Sequence, residues 1–279
     1  MDRPGPDYDI AAARALAEDL GLGLIEPIVL KLAHHTTLRL SPLPIVARVQ
    51  SSEPALQAAA AMGRELALAR HFRDAGAPTV APLSDVPAGP HVVGQAVTTL
   101  WSYVEHAPPR GEADVTEAAR ALRLIHAALL GFEGQLPPFT DNLDRCAALL
   151  GDLTAMPMIA PTDRAFLAAR LRSLRDELAS FSFTPIPLHG DTHAGNVLFT
   201  AEGPIWADLE TACVGPLEWD LVQLPPAARR LFGKVDRTLL AHLADLRSAT
   251  VAVWCWADAQ RSDEVRNAAQ YHLRRLRRR

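Results

Sequence analysis

The stretch Leu188–Phe199, LHGDTHAGNVLF, followed by Gly203–Glu210, GPIWADLE, decides how this chain of 279 residues is read. Short strands are expected at Pro187–His189, Asn196–Thr200 and Pro204–Asp208, with a polar loop between the first two. Asp191 and Asn196 stand five positions apart, and Asp208 twelve beyond Asn196. A hairpin of Val197–Thr200 with Pro204–Asp208 returns Asp208 beside the loop that holds Asp191 and Asn196. A carboxylate and an amide oxygen brought together suit Mg²⁺, which takes hard oxygen ligands and keeps several waters. A second carboxylate nearby can accept a hydroxyl proton and aim that oxygen at a phosphoryl group. The plainer alternative, a polar turn between strands, does not explain why the acidic strand end returns to the same loop.

Upstream, Asp7–Leu20 reads as a helix with Asp9 as its cap and Gly21 as its stop. Glu26–Leu40 suggests two strands joined near His34–Thr36, and Pro44–Gln50 a third. The Ala- and Leu-rich run Pro54–Ala75 is helical and ends at Gly76 and Pro78. Strands are expected at Thr79–Leu83 and His91–Thr99, separated by DVPAGP. This first part is therefore αβββαββ, a five-stranded mainly antiparallel sheet with one internal helix. The connector Leu100–Ala113 carries Pro108, Pro109 and Gly111, which marks a boundary. Beyond it, Val115–Leu130 and Pro161–Ser180 read as long helices, with a shorter one closing Phe132–Asp152. From Pro216 onward the chain is helical, broken at Pro225–Pro226.

Composition sets the outer limits. Hydrophobic residues are 49% and charged residues 22%, as in a soluble globular protein. With 28 basic and 32 acidic side chains the net charge is −4, which offers no global basic field for nucleic acid. Cys146, Cys213 and Cys255 are isolated, with no zinc-type spacing. The opening MDRPGPDYDI lacks the basic and apolar runs of a secretory leader. No segment reaches the ~18 apolar residues of a membrane span. A cytoplasmic protein without membrane or nucleic-acid partners is expected.

HGDTHAGN followed by ADLE resembles the catalytic and metal segments of the aminoglycoside phosphotransferase and choline kinase family. The resemblance implies an α+β, two-lobed protein-kinase-like fold, in which an N-terminal antiparallel sheet with one helix precedes a mainly helical C-terminal lobe. It implies a nucleotide-binding lobe with its hinge at residues 1–104 and a catalytic and acceptor-binding lobe at residues 105–279. Asp191 would be the catalytic base, with Asn196 and Asp208 holding Mg²⁺ and His189 and Gly190 shaping the loop. VGPLEWDLVQL, Val214–Leu224, is similar to a helix start of the same family, and Asp220 there would be a loop-positioning acid. Arg48 in PIVARV occupies the strand position of the kinase phosphate-binding lysine, and a guanidinium can bind phosphate oxygens bidentately. Glu65 would be its partner. VTTLWSYVEH resembles the hinge whose backbone meets adenine, which brings in Thr99, Trp101 and Tyr103. The implied reaction moves the γ-phosphoryl group of ATP to a hydroxyl of an aminoglycoside-like molecule, a sugar or an amino alcohol.

The sequence departs from the pattern in two places. AHHTTLRL stands where kinases carry a glycine-rich loop, so phosphate contact falls to His35, Thr36 and Thr37. Leu209 and Glu210 replace the Phe-Gly that follows the metal-binding Asp. Glu210 then becomes a candidate for the acceptor, with Asp141 and His193. These departures keep a second function class open, a nucleotide-binding pseudokinase module without catalysis. GDTH followed by GN also invites a phosphoesterase metal site, but the further His pair that such a site needs is missing. His126, Trp254 and Trp256 read as core or interhelical side chains, and YHLRRLRRR as a basic helix end.

Overall fold

The computed structural model describes residues 5–278. Met1–Pro4, read above for a leader, and Arg279, the last residue of the basic end, lie outside the described residues. By packing, the chain divides otherwise than by a single cut at 104/105. One compact unit takes the residues up to Gly134 together with Ala194–Thr211, and the other takes Gln135–His193 with the residues from Ala212 on.

The first unit opens with helix α1, Pro6–Asp19, then strands β1 Glu26–Leu32, β2 Thr36–Ser41 and β3 Ile45–Gln50, helix α2 Ala55–Asp74, and strands β4 His91–Val93 and β5 Ala96–Ser102. The five strands form one antiparallel sheet in the order β1-β2-β3-β5-β4. Alternation along β2 and β3 sends Leu38, Leu40, Ile45, Ala47 and Val49 to one face, where they pack with Ala12, Ala13 and Leu16 of α1. Arg48 is left on the other face, beside α2. Helix α3, Glu112–Leu129, and the hairpin of β7, Val197–Thr200, with β8, Gly203–Trp206, complete this unit. The Trp206 indole N–H donates to the Ala118 carbonyl of α3 at 2.9 Å, and the Val80 N–H donates to the Trp206 carbonyl at 3.1 Å.

Three local readings are corrected here. Thr79–Leu83 forms no strand, only single bridges from Thr79 to Trp206 and from Pro82 to Trp101, because Pro78 and Pro82 cannot donate to a ladder. The fifth strand comes instead from His91–Thr99, which folds back on itself at Gly94, whose φ of 61° suits a residue without Cβ. Asp9 caps nothing. It lies inside α1, 1% exposed, and its carboxylate accepts hydrogen bonds from the hydroxyls of Thr36 and Ser51. It thus ties α1 to the edge of β2 and the end of β3.

The second unit is a helical body. Helices α4 Asp141–Gly151, α5 Pro161–Leu178, α8 Arg237–Ala257 and α9 Asp263–Arg277 enclose a core of Leu143, Leu167, Leu171, Leu243, Leu246 and Leu273. The leucines recur three and four residues apart, which gives each helix one apolar face. Asp236 caps α8 through the N–H groups of Thr238 and Leu239, and Ser262 caps α9 through Val265. Strand β6, Ile186–Leu188, pairs antiparallel with β9, Cys213–Gly215, a strand too short for the sequence to signal. The short helices α6 Leu217–Leu221 and α7 Pro226–Arg229 follow it. Trp256 is buried in the core, while the Trp254 indole N–H donates to the Asn142 side-chain oxygen at 2.8 Å. Among the described residues no helix is long and apolar enough to cross a membrane.

Two outcomes follow from this packing. Asp9→Ala strands two buried hydroxyls, and a loss of about 1–3 kcal/mol in urea unfolding is expected. Burial, and then the neighbouring Arg275, pull the His272 imidazole on α9 down to about 4. The folded protein therefore keeps His272 neutral where an unfolded chain takes up a proton. Its contribution is fully present above the ordinary imidazole value and is lost as pH falls from there through about 4. Urea midpoints measured across that window should fall more steeply for the parent protein than for His272→Gln.

Candidate active site

A cavity of about 320 Å³ lies wholly within the first unit. Its walls come from the β1–β2 loop, the exposed face of β3, the end of β5 and the residues around the β7–β8 hairpin. Arg48, Glu65, Trp101, Tyr103, Asn196, Asp208 and Glu210 all line it. Register explains the sheet side: Val46 pairs with Trp101 and Arg48 with Thr99, so these residues share the face away from α1. Thr99 nevertheless does not line the cavity. It is fully buried, and its hydroxyl accepts the Trp101 indole N–H at 2.9 Å. Tyr103 lies under the Arg39 guanidinium, 4.0 Å from the ring centre.

Arg48 organises the charge. One guanidinium nitrogen donates to Glu65 and another to Asp208 at 2.9 Å, with Glu210 at 3.8 Å. Burial lowers its pKa, but Glu65, Asp208 and Glu210 outweigh that and raise it, so Arg48 is a permanent cation. Glu65, 1% exposed on α2, also accepts the Leu209 N–H at 3.1 Å, which fixes the segment that follows Asp208. Asn196 and Asp208 are brought together by backbone: the Ala207 N–H donates to the Asn196 carbonyl at 2.9 Å. Asp208 itself sits at φ 67°, the only non-glycine residue with positive φ among the described residues. Such a conformation favours residues with short polar side chains and is common at functional positions. Glu210 accepts from His35 at 2.9 Å, and His34 reaches Glu53 at 3.2 Å. Burial and the neighbouring Asp208 push the Glu210 carboxyl up to about 8. Three carboxyl groups thus surround one guanidinium.

The second unit carries the other half of the motif. Helix α6 presents Asp220, fully buried, whose two carboxylate oxygens accept the N–H groups of His189 at 2.9 Å and Gly190 at 2.8 Å. The Thr192 hydroxyl donates to the Asp220 carbonyl. Gly190, at φ 90°, makes the reversal that a side chain would strain. Asp191 is therefore delivered by a turn held through its backbone. Its carboxylate accepts from the Gln223 amide at 3.1 Å, and His193 lies 3.4 Å away. Burial raises the Asp191 pKa, yet the His193 hydrogen bond and the charge of Arg247 more than reverse this and hold it well below the usual carboxylate range. A carboxylate so held is a hydrogen-bond acceptor at any physiological pH.

The sheet with its internal helix and the helical second unit together define a protein-kinase-like fold. A model of the phosphotransferase enzyme family matches residues 29–254, and the chain belongs to that family. Among solved structures, the choline/ethanolamine kinase family protein from Mesorhizobium loti is similar with a TM-score of 0.62 at 17% identity, covering 97% of this chain and 93% of that one. The choline kinase LicA from Streptococcus pneumoniae gives 0.66 at 15% identity, covering 95% and 99%. The GDP and kanamycin complex of APH(2")-IIia gives 0.66 at 15% identity, covering 95% and 97%. No curated protein sequence matches the chain. At such identities the structural likeness speaks for the fold alone.

The three acceptor candidates are divided. Glu210 lies in the cavity of the first unit with Arg48 and His35, whereas Asp141 and His193 belong to the second. Asp141 is the first residue of α4, with Thr140 in the cap position. Arg247 and Gln223 beside Asp191 escaped the sequence reading. The signal for Arg247 was a basic residue on the apolar face of α8 between Leu243, Leu246 and Ala249. Replacing Asp220 by Ala leaves two buried N–H groups without acceptors. A stability loss of about 2–4 kcal/mol is expected from chemical denaturation, with turnover lost as well.

Proposed function

We propose that the protein transfers the γ-phosphoryl group of ATP to a hydroxyl of a small molecule. The observation that supports this most is the convergence in one cavity of Arg48, Asn196 and Asp208 with the backbone of Trp101–Val104. Adenine would stack in the apolar part of that cavity, lined by Val46, Val80 and Leu198, and meet the polypeptide around Ser102–Val104. Arg48, braced by Glu65, would bind phosphate oxygens.

The donor set fits magnesium. Asn196 and Asp208 supply one amide and one carboxylate oxygen, a pairing typical of Mg²⁺, which leaves its other positions to water and phosphate. Bound there, Mg²⁺ would neutralise charge on the phosphates. Asp191 would accept a hydrogen bond from the acceptor hydroxyl and orient that oxygen. Its low pKa makes it a weak base, which suits a loose transition state in which the proton leaves late. Catalysis of this type is mostly positioning and electrostatics.

For the acceptor, an aminoglycoside-like molecule, a sugar or an amino alcohol fits the reading. The fold relatives are described as choline and ethanolamine kinases, a kanamycin complex and an amicoumacin kinase. We place the protein in the cytoplasm, where ATP is available.

A phosphate-transfer screen with ATP and Mg²⁺ against aminoglycosides, sugars and amino alcohols, read as mass gain on the acceptor, tests the activity. With an accepted substrate, Asp191→Ala should retain nucleotide binding and lose about 10³-fold or more in kcat. Asp208→Ala should instead abolish metal-dependent nucleotide binding in calorimetry. Turnover of Asp191→Ala at the parent rate would exclude the assignment.

A further inference from the structure

Arg247 lies in the middle of α8, 6% exposed, among side chains that form the core of the second unit. A buried guanidinium is costly unless it is fully engaged. Here one terminal nitrogen donates to the Gly190 carbonyl at 2.6 Å, and the other reaches the Asp191 carboxylate at 3.4 Å. The plane of the group stacks on Trp219, 3.7 Å from the ring. The Trp219 indole N–H shares the Gly190 carbonyl at 3.1 Å. The guanidinium Nε is buried with no hydrogen-bond partner. A site that needed only packing would do better with Leu or Met, since a well-packed apolar side chain replaces a buried charge at little or no cost in stability. What Arg247 adds is directed at one turn.

We propose that Arg247 is a positioning residue for phosphoryl transfer, holding the Gly190 peptide and the Asp191 carboxylate in the orientation the acceptor hydroxyl requires. The division of labour is specific. Asp220 grips the N–H groups of His189 and Gly190, and Arg247 with Trp219 grips the carbonyl of Gly190. In the peptide between Gly190 and Asp191 the carbonyl is held by Arg247 and Trp219, and the Asp191 N–H donates to the His189 ring Nδ1 at 3.3 Å. Lysine cannot reproduce this, because it has no planar fork to reach two oxygens while stacking on an indole. Gln223 and His193 also touch the Asp191 carboxylate.

This inference rests on Asp191 being the residue that receives the acceptor hydroxyl, so the test carries Asp191→Ala in parallel. Arg247→Met keeps the volume and removes the fork. With an acceptor from the screen above, its kcat should fall about 100-fold, the size of a misplacement of roughly 1 Å. KM for nucleotide and acceptor should stay near the parental values, because the interaction removed is one made in the transition state. Thermal unfolding should remain cooperative, and Arg247→Lys should recover part of the lost kcat. A purely structural role would instead lower melting temperature and active fraction together, with both variants following stability and not the fork. Arg247→Met at parental kcat beside an inactive Asp191→Ala overturns the positioning role and leaves the reaction assignment standing. Parental turnover of Asp191→Ala overturns both. If Arg247→Met does not fold, Arg247→Lys is read in its place: lowered kcat with unchanged KM supports the role, and parental kcat refutes it.

Discussion

The two hydrogen bonds that the Asp220 carboxylate accepts from the peptide N–H groups of His189 and Gly190 set the geometry of the turn that carries Asp191. They join residues about thirty positions apart in sequence and lie out of solvent, where a hydrogen bond to a charged group is strong and its absence costly. With these bonds made, Gly190 can hold a backbone conformation closed to most residues, and Asp191 is aimed by the main chain before any side-chain contact is counted. Arg247 and Trp219 then hold the Gly190 carbonyl of the same turn, and Thr192 ties it to α6.

The first unit solves a different problem, how to keep a buried cation in place among acids. Arg48 is held between Glu65 and Asp208, and Glu65 also holds the Leu209 N–H. One buried glutamate therefore couples strand β3, helix α2 and the segment after Asp208. The β1–β2 loop has no glycines, and here His35 bonds Glu210. The loop is thus tied to the same segment by a side chain, where a glycine-rich loop would offer backbone N–H groups. The Leu209–Glu210 departure from the kinase pattern and the missing glycines are in this sense two ends of one contact.

Much of this was readable from residue order. The spacing of Asp191, Asn196 and Asp208 specified a loop and hairpin, and alternation in β2 and β3 specified which face Arg48 would take. Periodicity fails where partners are distant. Asp9 looks like a cap because a helix start is judged locally, yet its partners are Thr36 and Ser51 across the sheet. Thr99 shares a face with Arg48 and Trp101, but depth, which alternation does not encode, puts it beneath the indole. Arg247 could be seen as an odd charge on an apolar helix face, but nothing local says that it answers to Gly190, fifty-seven residues earlier. Strand β9 owes its form to distant backbone on both sides, β6 on one and Pro137–Phe139 on the other.

The interleaving of the two units along the chain has a consequence for biosynthesis. The first unit is closed by Ala194–Thr211, and 59 residues of the second (135 to 193) are made before that segment emerges. At about 5–20 residues per second, the nascent sheet waits on the order of 3–12 seconds at the ribosome. For that interval Ala118 has no indole to accept from, and Glu65 lacks the Leu209 N–H. The amino-terminal sheet therefore completes these two bonds only after much of the second unit has been made.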